Sequence, residues 1–256
     1  MILRRLGNKS QIASEIQKYF PQHSIYIEPF FGAGGMFFNK PKVRYNIVND
    51  IDSDVFNLFQ VVVNQKSEFE EQFKIMPVHY DLFKFWKENN EIDSVKKALR
   101  FLFLSCFTLH GAGGSFKITV NNDKRTLYDA LNKTNELMFD VIFNNCDFRK
   151  FITTLSFRGK EEISNSFIYA DPPYIDTADN YSHSFKRQDA IDLLDSLTKT
   201  GCNFAYSEFE NDFILSEAEK RSLNVIIIGE RRNIKKERTE ILITNYKKPM
   251  SLFDGM

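Results

Sequence analysis

The sequence predicts an α/β fold, a mostly parallel sheet with covering helices that is interrupted by a mostly helical insertion. Two patterns lead there. Short apolar runs of strand type alternate with amphipathic runs of helical period over residues 1–64, and the alternation resumes from residue 145 onward. Residues 65–144 instead carry helix-length amphipathic stretches broken by a loop. Residues 1–64 and 145–256 therefore read as one domain, and 65–144 as a module inserted into it.

The elements follow in order. In "NKSQIASEIQKYF", Ile12, Ile16, Tyr19 and Phe20 share one helical face, and Pro21 ends the run. "SIYIE" (Ser24 to Glu28) is a short apolar strand leading into a glycine-rich turn, after which "MFFN" starts another helix. "YNIVND" is a second strand ending on Asp50, and "SDVFNLFQVVVN" puts Val55, Leu58, Phe59 and Val62 on one helical face. In the insertion, "SVKKALRFLFLSCFTL" reads as a helix with Phe101, Phe103 and Phe107 in the core, followed by the loop "HGAGGSFKITVNNDKR". Strand-type runs then return as "NNCDF", "SFIYA", "NFAYS", "NVIIIG" and "EILITNY", with a helix from Gln188 to Lys199 among them.

A chain of 256 residues with 43% hydrophobic content can bury one substantial core. Its 34 basic side chains balance 34 acidic ones, so only local patches can speak for or against a polyanionic partner. Cys106, Cys146 and Cys202 lie far apart without CxxC spacing and read as reduced core residues. The histidines show no ligand spacing, so no metal is expected. Arg4, Arg5, Lys9 and Lys18 interrupt the N-terminus, and no apolar run reaches the length of a signal peptide or membrane span. A cytoplasmic protein without membrane association is expected.

Two motifs carry chemistry. "EPFFGAGG" follows a strand and opens a helix, the place where α/β folds bind nucleotides. A dinucleotide fingerprint would need glycine where Phe37 stands, and a P-loop would need a Gly-Lys-Ser/Thr that is missing. The remaining readings are a turn packed for its own sake or a different nucleotide-like cofactor, and Asp50 favours the second as an acceptor for ribose hydroxyls. In "FIYADPPYIDT" a strand breaks on Asp171, Pro172, Pro173 and Tyr174. The prolines make a stiff turn and offer no N–H of their own.

With "FFGAG", "NDIDSD", "CDF" and "DPPY" in that order, the sequence resembles the Dam-like (class alpha) DNA adenine-N6 methyltransferases, which use S-adenosylmethionine. "RRLGNKSQI" and "RRNIKKERTEILITNY" extend the likeness at both ends, while residues 65–144 match loosely. The resemblance implies a Rossmann-like methyltransferase sheet. It further implies that Lys9, Phe30, Gly32 and Gly34 line the amino-acid end of S-adenosylmethionine, that Asp50 bonds its ribose, and that Asp147 and Phe148 hold its adenine. Asp171 and the Pro172 carbonyl would accept the target amine's two hydrogens, Pro173 would stiffen the turn, and the Tyr174 ring, rather than its hydroxyl, would stack on a flipped-out adenine. The family pattern has Asn where Asp52 stands, a mild departure. The insertion would recognise the target sequence.

Duplex DNA is then the expected partner, acted on by a monomer, with a cognate restriction endonuclease as a further possible partner in restriction–modification or genome marking. Candidate DNA contacts are Lys117, Lys124 and Arg125, after the glycine-rich "HGAGGSFK", and Arg231, Arg232, Lys235 and Lys236 in a basic hairpin. A plain interhelical loop and a solvated basic hairpin are the alternatives. Alternatives for the whole protein are an RNA adenine methyltransferase, a cytosine-amine methyltransferase, which more often has serine where Asp171 stands, and a silent DNA-binding subunit of the same fold.

Overall fold

The computed structural model describes residues 2–3, 8–111, 113–117, 124–175, 185–233 and 236–247. The strands are β1 (Ile25–Glu28), β2 (Tyr45–Asn49), β3 (Ile142–Asn144), β4 (Ser166–Ala170), β5 (Asn203–Phe209), β6 (Asn224–Asn233) and β7 (Lys236–Thr244). They form one sheet in the order β3-β2-β1-β4-β5-β7-β6. β1 to β5 pair in parallel, and β7 runs antiparallel to both β5 and β6. Every residue of β1 and β4 is buried, which is why both read as continuous apolar runs and not as alternating ones.

Helices cover both faces. α1 (Ala13–Gln17), α2 (Ser53–Asn64), α3 (Lys66–Ile75), α4 (Tyr80–Glu88), α5 (Ser94–Cys106) and α6 (Lys124–Met138) share one buried cluster with one face of the sheet. α7 (Phe148–Thr154), α8 (Lys160–Ser164), α9 (Arg187–Thr200) and α10 (Asp212–Lys220) follow later in the chain, and α7, α9 and α10 bury the other face. Of the helices of residues 65–144, α3, α5 and α6 pack on α2 and α4 packs on α5, all within a common core, and β3, from the same range, adds an edge strand to the sheet. Among the described residues no helix is long and apolar enough to cross a membrane.

Local chemistry sets the boundaries. α2 begins where Asp52 accepts the Asp54 N–H at 2.9 Å, a cap that Asn or Asp makes equally well, so the departure at this position costs nothing structurally. "MFFN" forms only a single 3-10 turn, Phe37–Asn39, because Lys40 precedes Pro41 and is held extended. "NNCDF" is a strand only at Asn144; Asp147 caps α7 by accepting the Arg149 N–H at 2.8 Å, and a helix begins where a strand is expected. Cys106 and Cys202 are buried as expected, but Cys146 is only half-buried and lines a cleft.

Candidate active site

The strand order reverses between β1 and β4, and at such a point the loops beyond the carboxyl ends part to leave a crevice. The glycine turn leaves β1 there, Asp50 follows β2, and Asp171 follows β4. Because β7 is antiparallel, its early residues reach the same edge: Glu240 lies opposite Phe209 at the end of β5.

Asp50 organises the turn. Its carboxylate accepts the Gly32 N–H at 2.5 Å and the Asp52 N–H at 2.8 Å. Gly34 has φ 72°, a conformation disfavoured for side-chain-bearing residues. Gly35 matters for a different reason. A Cβ there would stand 2.0 Å from Asn8 Oδ1 and 2.9 Å from Lys9 N, so its bareness lets the N-terminal segment lie against the turn. That contact delivers Lys9 to the site.

Lys9 is only 3% exposed. Its ammonium lies 2.8 Å from Asp171 Oδ1 and 3.3 Å from Glu240 Oε1, and it also donates to the Tyr174 hydroxyl. That hydroxyl donates to Glu240 Oε1 at 2.9 Å and lies 2.9 Å from Ser207 Oγ, which itself donates to Glu240 Oε1 at 2.9 Å. Burial, followed by the charges of Asp171 and Glu240, pushes the Tyr174 pKa far up, so the phenol keeps its proton. The ring meets Phe209 edge-on at 4.5 Å. The hydroxyl is thus an anchor in a buried network, a role the sequence reading does not give it.

Glu208 supports the segment from the other sheet face. Its carboxyl group accepts the Ile175 N–H at 3.2 Å, the Tyr206 hydroxyl at 3.1 Å and the Phe209 N–H at 2.8 Å. Burial pushes its pKa up to about 7. The Asp-Pro-Pro-Tyr segment is therefore held by Lys9 and Glu240 on one side and by Glu208 just after it.

Phe30 and Phe148 meet with ring centroids 5.3 Å apart beside an open cleft, which Asp147 and Pro173 also line. Lys9, Asp171, Pro172 and Tyr174 thus assemble into one cluster, with Pro173 facing the cleft beside Phe30, Asp147 and Phe148. Among the described residues no group of three or more His, Cys, Asp or Glu is arranged to hold a metal ion.

The basic candidates are dispersed. Lys117 and Arg125 are exposed in the helical region. Lys124 departs from expectation: its ammonium donates to the carbonyls of Lys74 and Met76 at 2.8 and 2.7 Å, satisfying the end of α3 and directing the charge away from a phosphate. Arg231, Arg232 and Lys236 lie on paired backbone of the β6–β7 hairpin, where Arg232 faces Glu237; their side chains, and Lys235 altogether, are outside the described residues. The β5–β7 pairing ends at Phe209 and Glu240, so the hairpin continues past the sheet's carboxyl edge, toward the side where the cluster lies.

Sequence reasoning missed Ser207, Glu208 and Glu240. Ser207 ends and Glu240 begins a run read simply as apolar strand, and Glu208 directly follows the first of these; a carboxylate at the edge of such a run is itself a signal, because burying it demands partners.

The chain is similar in sequence to several known proteins. A DNA adenine methylase from Haemophilus influenzae is 30% identical over 188 residues, 67% of this chain and 63% of that protein, so the alignment spans less than two thirds of its length. The Vibrio cholerae DNA adenine methylase is 24% identical over 77% of this chain and 76% of its own. The type II methyltransferase M.MjaIII of Methanocaldococcus jannaschii is 26% identical over 95% of this chain and 98% of its own. The family described as D12 class N6 adenine-specific DNA methyltransferase matches residues 6–241, from the N-terminal segment that carries Lys9 through the strand that carries Glu240. With nearly every element of the sheet and the whole buried cluster inside that match, the chain belongs to the D12 class N6 adenine-specific DNA methyltransferase family.

Proposed function

We propose that this chain transfers a methyl group from S-adenosylmethionine to the exocyclic amine of adenine in a short duplex DNA sequence. The observation that carries the reading is Asp-Pro-Pro-Tyr at the carboxyl end of β4, with Asp171 paired to Lys9 at the fold's switch point. The cleft suits an adenosyl group. Phe30 and Phe148 line it with aromatic surface, and the Asp50 and Asp147 carboxylates stand at neighbouring strand ends as acceptors. S-adenosylmethionine, when bound, supplies a methyl on a cationic sulfur.

The chain's own residues prepare the nucleophile. The adenine amine is unreactive because its lone pair is conjugated into the ring. Asp171 accepts one amino hydrogen and the Pro172 carbonyl the other, which turns the lone pair away from the ring. Lys9 fixes the Asp171 carboxylate, and Pro173 keeps the turn stiff. Tyr174, anchored by Glu240 and Ser207, presents its ring to a base that has left the duplex stack.

Lys117, Arg125 and the 231–236 hairpin supply phosphate contacts, and residues 65–144 read the target sequence. A cytoplasmic monomer in restriction–modification or genome marking fits these features, with a restriction endonuclease as partner in the first case. The test is tritium transfer from labelled S-adenosylmethionine to duplex DNA and to RNA, followed by digestion to nucleosides. Label in N6-methyladenine from DNA supports the reading. Label in RNA alone or in a cytosine nucleoside would replace the substrate, and no transfer at all would leave a silent DNA-binding subunit.

A further inference from the structure

The cleft has a third aromatic wall that none of the motifs contains. Phe185, just before α9, meets Phe30 at 6.0 Å and 89° and Phe148 at 6.1 Å and 50°. What keeps it there is a clasp centred on Arg149. The guanidinium donates to Asp192 Oδ2 at 2.8 Å, to Asp189, and to Asp147 Oδ2 at 3.2 Å, while lying 4.4 Å over the Phe148 ring. Asp189 in turn accepts the Lys186 N–H at 2.7 Å, fixing the peptide that follows Phe185. One side chain thereby ties the loop after β3 to the first turn of α9.

Ion pairs this exposed, with Arg149 at 37%, add little to global stability. Their effect is local. Without the guanidinium, Asp147, Asp189 and Asp192 would stand together as like charges, and the two halves of the cleft wall would part. We propose that Phe185 is a wall of the cofactor's purine slot and that Arg149 is the positioning residue that sets the slot's width, so that affinity for the adenosyl group depends on a clasp outside the catalytic segment. The inference rests on the reading that this cleft takes S-adenosylmethionine.

Calorimetry with S-adenosylmethionine and, separately, adenosine, without DNA, tests it on the full chain. Phe185→Ala and Arg149→Met should each raise the Kd for both ligands about ten-fold, as expected for a lost purine–aromatic contact. Phe185→Tyr, which keeps the ring, should bind as the unaltered chain does, and all three variants should melt within a few degrees of it without ligand. Unchanged Kd values in Phe185→Ala and Arg149→Met would overturn the proposal while leaving the cofactor reading intact. So would a loss confined to S-adenosylmethionine, which would locate the effect at its amino-acid end, or a large fall in melting temperature, which would make the residues merely structural. No binding by the unaltered chain would sink the cofactor reading and this inference with it.

Discussion

Tyr174 shows how much a single hydroxyl can be asked to do. Three polar groups, from Lys9, Ser207 and Glu240, converge on it. Tyr174→Phe leaves them in a buried site without that partner, at a cost of about 1–3 kcal/mol. Thermal melting should register that loss, and single-turnover transfer should slow roughly ten-fold as the ring loses its anchor. Asp171→Ala should be far worse, on the order of 100-fold or more in turnover at saturating cofactor and DNA, because the missing acceptor acts as the amine leaves conjugation. Near-normal single-turnover rates in Asp171→Ala would move the acceptor role elsewhere. Glu208 offers a pH test. Its folded pKa of about 7 stands above the ordinary 4.5, so the folded chain holds this proton more tightly than the unfolded one. The associated stability is present below about pH 4.5 and is lost as pH rises through 7, by on the order of 1–3 kcal/mol. Denaturant unfolding at pH 5 and pH 8 should show the unaltered chain losing stability that Glu208→Gln keeps; parallel behaviour of the two would contradict the assignment.

At the scale of elements, the glycine turn after β1 stands where the sequence places it, although only a 3-10 turn follows where a helix is expected. Gly32 and Gly34 are legible as a cofactor-type turn, but the service of Gly35 is not, since it depends on a segment far upstream in the chain. Gly35→Ala should drive Asn8 and Lys9 off the turn and cost about 1–3 kcal/mol, as overpacking does. Transfer should fall with it, and a fully active Gly35→Ala enzyme would show that Lys9 does not depend on this contact. α2 was legible over its whole length because its apolar period and its capping Asp52 agree. "NNCDF" was misread because apolar content and a neighbouring strand outweighed the capping aspartate. Glu208 and Glu240 were hidden by their surroundings: Glu240 has the same parity as Leu242 and Thr244 along β7, and the inward phase of that strand is visible only once its neighbours are known.

For the whole molecule, topology adds to what composition leaves open. A net charge of zero gives no polyanion signal, while the paired backbone of the β6–β7 hairpin, with Arg231, Arg232 and Lys236 on it, runs past the carboxyl edge on which the cluster sits. Neutralising Lys235 and Lys236 to Gln should weaken binding to all DNA sequences alike and flatten the salt dependence by about two in the log–log slope. Fluorescence anisotropy across a salt series measures it. A changed target sequence with an unchanged slope would assign these lysines to base reading instead. The helical module was legible as helical but not as part of the same core, because the faces that α3, α5 and α6 bury against α2 look in sequence like those of any independent bundle.

The placement of Glu240 also governs when the cluster can assemble. The cluster joins Lys9, ahead of β1, to Glu240 in the last described strand, so its closing contact is long-range in sequence. Until β7 has left the ribosome and inserted between β5 and β6, Tyr174 lacks its main acceptor and Lys9 one of its two carboxyl partners. Long-range closure of this kind is slow. A chain that stops short of β7 is therefore left with an unassembled cluster and not a weakened one.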